Sequence, residues 1–203
     1  MTTPAQLDIQ AVLIGGSAGA LEVVSHILPA LPRDFAPSIV IVIHLPPHRP
    51  SALAEALRPT CQLSLREPQD KEPLAPSTVY LAPPDYHLLI DPGPLFSLSM
   101  DEPVNYSRPS IDVLFESAAD VLGPRCAGII VSGANPDGAQ GLRAVAQAGG
   151  HAVAQSPDDA AHRMMPQSAL ALCPDAFVLS AKEIAQWLLQ ISGMPNLGKR
   201  RTP

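Results

Sequence analysis

The hexapeptide Ser38-Ile39-Val40-Ile41-Val42-Ile43 decides how this chain reads. Five successive β-branched residues leave no polar face, whereas a strand buried on one side alternates apolar with polar. A continuous run of this kind is that of a parallel strand covered on both faces. Working outward, residues 11–14 form a second short apolar run that ends at Gly15-Gly16, and residues 21–31 have helical spacing up to Pro32. Further helices are expected at 51–57, at 111–122 behind Ser110 as cap, at 138–148 before Gly149-Gly150, and at 181–191 behind Ser180. Further strands are expected at 61–65, 78–82, 127–131, 151–154 and 175–179. Segments 87–90 and 95–98 flank Asp91-Pro92-Gly93-Pro94, a hairpin signal. Strands alternating with helices predict an α/β fold: a doubly wound, mostly parallel sheet with helices on both faces and a small antiparallel hairpin. A single domain is expected over residues 10–191. Residues 1–9 would be an N-terminal tail and residues 192–203 a flexible tail, basic at Lys199-Arg200-Arg201.

Composition narrows the class. Hydrophobic residues are 46% and charged residues 16% of 203, the balance of a chain with a packed core and not of a disordered one. Lys and Arg number 13 against 19 Asp and Glu, a net charge of −6 that argues against nucleic acid as partner. The 24 prolines exclude a coiled coil, and no apolar run approaches the length of a membrane span. The N-terminus lacks a basic segment followed by an apolar one, so no signal peptide is read. Cys61, Cys126 and Cys173 are odd in number and widely spaced, which fits neither a disulfide framework nor a zinc motif. Three reduced thiols in a cytoplasmic protein are expected.

In doubly wound sheets function gathers at the carboxyl ends of strands. Three such ends carry chemistry. Gly15-Gly16-Ser17-Ala18-Gly19 has the G-x-S-x-G spacing of a nucleophile elbow, in which a tight turn presents serine before a helix. The plain alternative is a glycine turn with a serine cap; the glycines do not supply G-x-G-x-x-G for a dinucleotide. His44 ends the second strand, where an imidazole serves as general base or is simply held by backbone. With His48 it could be read as a metal pair, but no third ligand stands at a fitting spacing, and no metal is expected. Asp137 follows the strand at 127–131, either as helix cap or as the acid that orients an imidazole. Together they offer a Ser17-His44-Asp137 triad.

With these residues in place the sequence resembles the catalytic domain of the CheB-type protein-glutamate methylesterase/glutaminases, the chemotaxis methylesterases. The resemblance spans about residues 10–189. It is carried by Gly15-Gly16-Ser17-Ala18-Gly19, His44-Leu45-Pro46-Pro47, the Tyr80 to His87 segment with its Ala82-Pro83-Pro84-Asp85, Arg108-Pro109-Ser110-Ile111-Asp112-Val113-Leu114-Phe115, Pro136-Asp137-Gly138 and Met165-Pro166. It implies a serine hydrolase that removes methyl esters from chemoreceptor glutamates and deamidates receptor glutamines, without a cofactor. Ser17 would be nucleophile, His44 base and Asp137 orienting acid. Oxyanion or substrate contacts would come from Gly16, Ala18, Gly19, Ala134 and Met165. Members commonly carry an N-terminal receiver domain. Here the first strand begins near residue 10, which leads to two alternatives, an excised catalytic fragment or a stand-alone form regulated by a partner in trans, of which the second is expected.

The chain departs from the family pattern at several points. The loop before the acid usually reads Gly-Met-Gly-x-Asp-Gly, and here it reads Gly133-Ala134-Asn135-Pro136-Asp137-Gly138. Ile43 stands where glutamine is frequent, Ala20 where glycine is, and Gln167 where a basic residue is usual. Arg108-Pro109-Ser110 reads either as a wall of the cleft or as a helix cap, and Tyr80 to His87 as a turn over the cleft with His87 a weaker functional candidate. Two other readings remain open on sequence: an esterase or amidase with another substrate, and a non-catalytic module that has kept the fold.

Overall fold

The computed structural model describes residues 8–44 and 52–193. Expectations that fall on residues 1–7, on Leu45 to Ser51, including His48, Pro46 and Pro47, and on the basic tail from residue 194 lie outside the described residues.

Seven strands form one parallel sheet: β1 (Ala11–Gly16), β2 (Ser38–Ile43), β3 (Ser64–Arg66), β4 (Thr78–Leu81), β7 (Cys126–Ile130), β8 (His151–Gln155) and β9 (Phe177–Leu179). Their spatial order is β3-β4-β2-β1-β7-β8-β9. The chain leaves β1 toward β2 on one side and later returns to β7 on the other, so β1 lies at the point where strand order reverses. Crevices open beyond strand ends at such points. The hairpin β5 (His87–Asp91) and β6 (Leu95–Ser99) is a separate antiparallel pair.

The β-branched run at 38–43 is explained by two cores. Ile39, Ile41 and Ile43 face one cluster with Val12 and Ile14, packed by α1 (Ala20–Ile27) and α6 (Ala181–Ile191) through Val24, Ile27, Ile184 and Leu188. Val40 and Val42 face the other with Ala11 and Leu13, packed by α3 (Ile111–Leu122), α4 (Ala139–Gln147) and the hairpin through Phe115, Leu142 and Phe96. Alternate residues of one strand thus enter opposite cores, each worth about 1.5–3 kcal/mol when a Val or Ile is fully buried.

Several expected boundaries move. The first helix is α1 followed by a single 3-10 turn at Leu28–Ala30, since Pro29 cannot donate to a continuing ladder. Helix α2 covers Leu53–Leu57, β3 is displaced to Ser64–Arg66, and β9 is shorter than expected. Helix α5 (Met164–Leu172) was not anticipated; Pro166 lies in its first turn, where its missing N–H costs nothing. Ser180 caps α6 in a capping box with Glu183, as its position suggested.

Candidate active site

Parallel pairing of β1 with β2 sets Gly16 opposite Ile43, and the His44 N–H donates to the Gly16 carbonyl at 3.1 Å. Ser17 and His44 are therefore the next residues on two neighbouring strands, at the spacing of adjacent strands, about 4.8 Å. Both glycines before Ser17 are required by close approach. A Cβ on Gly15 would lie 2.3 Å from the Ile111 side chain of α3, and one on Gly16 would lie 2.4 Å from Ala20 Cβ of α1. The two helices thus press on the strand from opposite faces immediately before the serine.

The loop bearing Ser17 is clamped by Ser132, which follows β7. Its carbonyl accepts the Ser17 N–H at 2.9 Å, its hydroxyl donates to the Ala18 carbonyl at 2.7 Å, and its own N–H donates to the side chain of Gln155 at 2.9 Å. The N–H groups of Ala18, Gly19 and Ala134 have no partner among the described residues. The Gly133 N–H is taken by the His162 carbonyl and its carbonyl by Met165 N–H, both at 3.0 Å. Buried Met165 packs its thioether under Gly133, so it shapes the loop from below.

His44 Nε2 and Asp137 Oδ2 are 2.9 Å apart, with the imidazole 11% exposed and the carboxylate fully buried. An ionised carboxylate can only accept, so the proton between them belongs to Nε2 and the lone pair of the ring is on Nδ1. Asn135 Nδ2 donates to Nδ1 at 3.2 Å, and Ser107 Oγ lies 3.5 Å from the same atom. The Ser17 hydroxyl makes no hydrogen bond among the described residues.

Asp137 is held by more than the imidazole. Its Oδ1 accepts from Ser110 Oγ and Asn105 Nδ2, both at 2.8 Å, and its Oδ2 accepts the Ile111 N–H at 2.7 Å. The Asp112 N–H reaches Oδ1 at 3.3 Å. Burial pushes this carboxyl up, but the hydrogen bonds from His44, Asn105, Ile111 and Ser110 outweigh it and hold the group below the ordinary carboxylate range. The expectation that Ser110 caps α3 needs correction: Ser110 occupies the cap position, but its hydroxyl turns to Asp137, and Asp137 accepts the first N–H of the helix instead. A full charge satisfies the helix terminus better than a hydroxyl does.

Further residues complete the arrangement, of which Asn105 was not singled out by sequence. Asn105 Nδ2 also donates to Asp112 Oδ2 at 2.8 Å, and Asp112 Oδ1 accepts the Gly141 N–H of α4 at 2.7 Å. Burial, with the neighbouring Asp137 charge, pushes Asp112 up to about 6 against the Gly141 hydrogen bond. The Arg108 guanidinium donates to the carbonyls of Met100 and Asp101 at 2.9 and 3.0 Å, fixing the loop that bears Asn105 and Ser107. His87 is a buried structural imidazole: it accepts the Ser110 N–H at 3.2 Å and donates to the Glu102 carbonyl at 3.1 Å, which positions the start of α3. For Asp112 a signal existed, since it shares with Phe115 and Ala119 a helix face that is otherwise apolar. For Asn105, in an irregular loop, no spacing rule applies.

A cavity of about 410 Å³ opens beside Gly19 between α1 and α6, and another of about 360 Å³ is lined by Asn105, Asp112, Pro136 and Gln140. Neither is lined by Ser17, His44 or Asp137. Among the described residues no three His, Cys, Asp or Glu side chains are grouped to hold a metal, and no helix is long and apolar enough to cross a membrane.

Comparison with known proteins places this geometry in context. A Leptospira interrogans protein provisionally named protein-glutamate methylesterase/protein-glutamine glutaminase is 42% identical over 185 residues, covering 91% of this chain and 96% of its own. The protein-glutamate methylesterase/protein-glutamine glutaminase of Salmonella typhimurium is 35% identical over 181 residues, covering 88% of this chain but 52% of its own, so the chain spans about half the length of that relative. The crystal structure of the Thermotoga maritima CheB methylesterase catalytic domain superposes with a TM-score of 0.86 at 31% identity, over 90% of this chain and 98% of that one. The profile described as CheB methylesterase matches residues 12–188, and with the seven-stranded sheet and separate hairpin in agreement, the chain belongs to the CheB methylesterase family.

Proposed function

We propose that this protein hydrolyses the methyl esters of glutamate side chains on chemoreceptor proteins, and deamidates receptor glutamines, through Ser17, His44 and Asp137. The observation that carries the reading is the 2.9 Å contact of His44 Nε2 with buried Asp137, formed at the strand end that the register places beside Ser17. With Nε2 committed to Asp137, Nδ1 is the basic atom. It takes the Ser17 proton as Oγ attacks the ester carbonyl, and returns it to the departing methanol. Water then attacks the acyl-serine, giving its proton to Nδ1, and releases glutamate with Oγ–H restored. The buried Asp137 charge favours the imidazolium formed in both steps.

The negative oxygen of each tetrahedral intermediate would be met by the N–H groups of Ala18 and Gly19, at the start of α1, and of Ala134. One such donor is typically worth about 2.7–4 kcal/mol. Gly16 would serve by letting α1 approach and Met165 by supporting Gly133. Deamidation follows the same path with ammonia leaving in place of methanol. That Met100 and Tyr106 are exposed on the loop bearing Asn105 supports a reacting side chain presented on a macromolecule. The reading includes action in the cytoplasm and control by a separate regulatory protein.

The test is methanol release from methylated receptor by wild type and Ser17→Ala. Release confined to wild type is expected, and equal release by both would overturn the reading.

A further inference from the structure

We propose that Asn135 is a brake on the general base: in the resting enzyme its amide holds the lone pair of His44 that must receive the Ser17 proton. The proposal rests on the triad reading above. It starts from the orientation of the amide, which is fixed at its other end. Asn135 Oδ1 accepts the Asp137 N–H at 3.1 Å, an Asx turn, so the atom facing the imidazole is Nδ2. That nitrogen donates to His44 Nδ1 at 3.2 Å.

The imidazole has no second basic atom to offer, because Nε2 donates to Asp137 at 2.9 Å. Nδ1 carries one lone pair, and Asn135 occupies it. Consistent with this, the Ser17 hydroxyl makes no hydrogen bond among the described residues, while Ser107 Oγ approaches Nδ1 only to 3.5 Å. Ser17 can be deprotonated only after the Asn135 amide gives up its contact. The restraint on the amide is local, since Pro136 limits the backbone of Asn135 and the Asx turn holds its side chain. Asn135 therefore positions both partners of the pair: Oδ1 fixes the backbone of the acid, and Nδ2 fixes the ring of the base in an inactive hydrogen bond. A hydrogen bond of ordinary net strength corresponds to about a three- to tenfold loss of free base.

The test uses Asn135→Ser and Asn135→Ala in the full chain. Serine keeps an acceptor for the Asp137 N–H but is too short to reach Nδ1, so it removes the brake and retains the turn. The readouts are the rate of Ser17 phosphonylation by a fluorophosphonate, kcat and KM for methyl-ester hydrolysis, and Tm. Labelling and kcat about three- to tenfold faster in Asn135→Ser, with KM little changed, are expected. Unchanged or slower labelling in an Asn135→Ser protein of wild-type Tm overturns the brake; a slower rate would mark Asn135 as a donor to substrate. Each variant is also made with Ser17→Ala. Labelling that persists without Ser17, or that is absent from every protein, overturns the triad itself, which separates that failure from failure of the brake.

Discussion

Asp112 and Asp137 cap each other's helices. Asp137, which precedes α4, accepts the Ile111 N–H of α3 at 2.7 Å, and Asp112, in the first turn of α3, accepts the Gly141 N–H of α4 at 2.7 Å. Asn105 joins the two carboxylates through one amide nitrogen. The acid that faces the imidazole is thus part of the joint between two helices, and its position follows from their packing. Phe115 against Gly141 closes the same joint, with no room for a Cβ on the glycine.

Asp137→Asn should lower kcat by about 10⁴ through loss of the charge opposite His44. It should also cost about 1–3 kcal/mol of stability, since an amide nitrogen cannot accept from the helix terminus. Steady-state kinetics and urea denaturation measure the two separately. Retention of activity within tenfold would remove Asp137 from the triad.

The two carboxylates give opposite pH dependence. Asp112 binds its proton more tightly in the fold, at about 6 against an ordinary 3.8, so stability falls as pH rises between these values. Asp137 binds its proton less tightly in the fold, so stability falls as pH drops below the ordinary range. Thermal unfolding from pH 3 to 8 should show a maximum near the ordinary carboxylate value, about pH 4, in the contribution of this pair. In Asp112→Asn the decline toward pH 6 should vanish and the acid limb remain.

Asn105→Gly removes the shared donor while suiting the backbone, since Asn105 has a φ of 53°. Loss of a hydrogen bond to two buried carboxylates should destabilise by about 1–3 kcal/mol. It should also raise the pH at which the Asp112 limb levels off, since the Asn105 hydrogen bond holds the folded-state pKa of Asp112 down. Calorimetry across that range checks both, and an unchanged profile would show that Asn105 does not couple them.

Gly16→Ala should be poorly tolerated, because the added Cβ meets Ala20 Cβ at 2.4 Å and Val131 Cγ2 at 2.7 Å. Gly138→Ala adds a Cβ 2.5 Å from Ile130 at a residue with φ of 90°. Each should cost about 1–3 kcal/mol or more, read as a lowered urea midpoint. Wild-type midpoints would mean that the helices can retreat without loss.

The strand ends were legible because a period of two and a run without polar residues determine where a buried strand stops. Ser17 and His44 directly follow such stops, and Asp137 lies in the loop after a third. The double core was legible in residues 38–43 for the same reason. Helix α5 was not, because Pro166 reads as a breaker until its place in a first turn is known. The capping of α3 was misassigned to Ser110, since local sequence offers the nearest hydroxyl and only the tertiary fold brings Asp137 to the helix. Asn105 was invisible, its partners being set by two helices distant in sequence.

The strand order has a consequence for the protein as it is made. The proposed nucleophile and base directly follow the first two strands, while the proposed acid stands 93 positions beyond the base and depends on β7 taking its place beside β1. A nascent chain still short of α4 carries a serine and an imidazole without the buried charge that makes the pair useful. Under the proposed triad, translation would deliver the reactive hydroxyl early and its activation late, so that hydrolysis would begin only with a sheet already filled on both sides of its central strand.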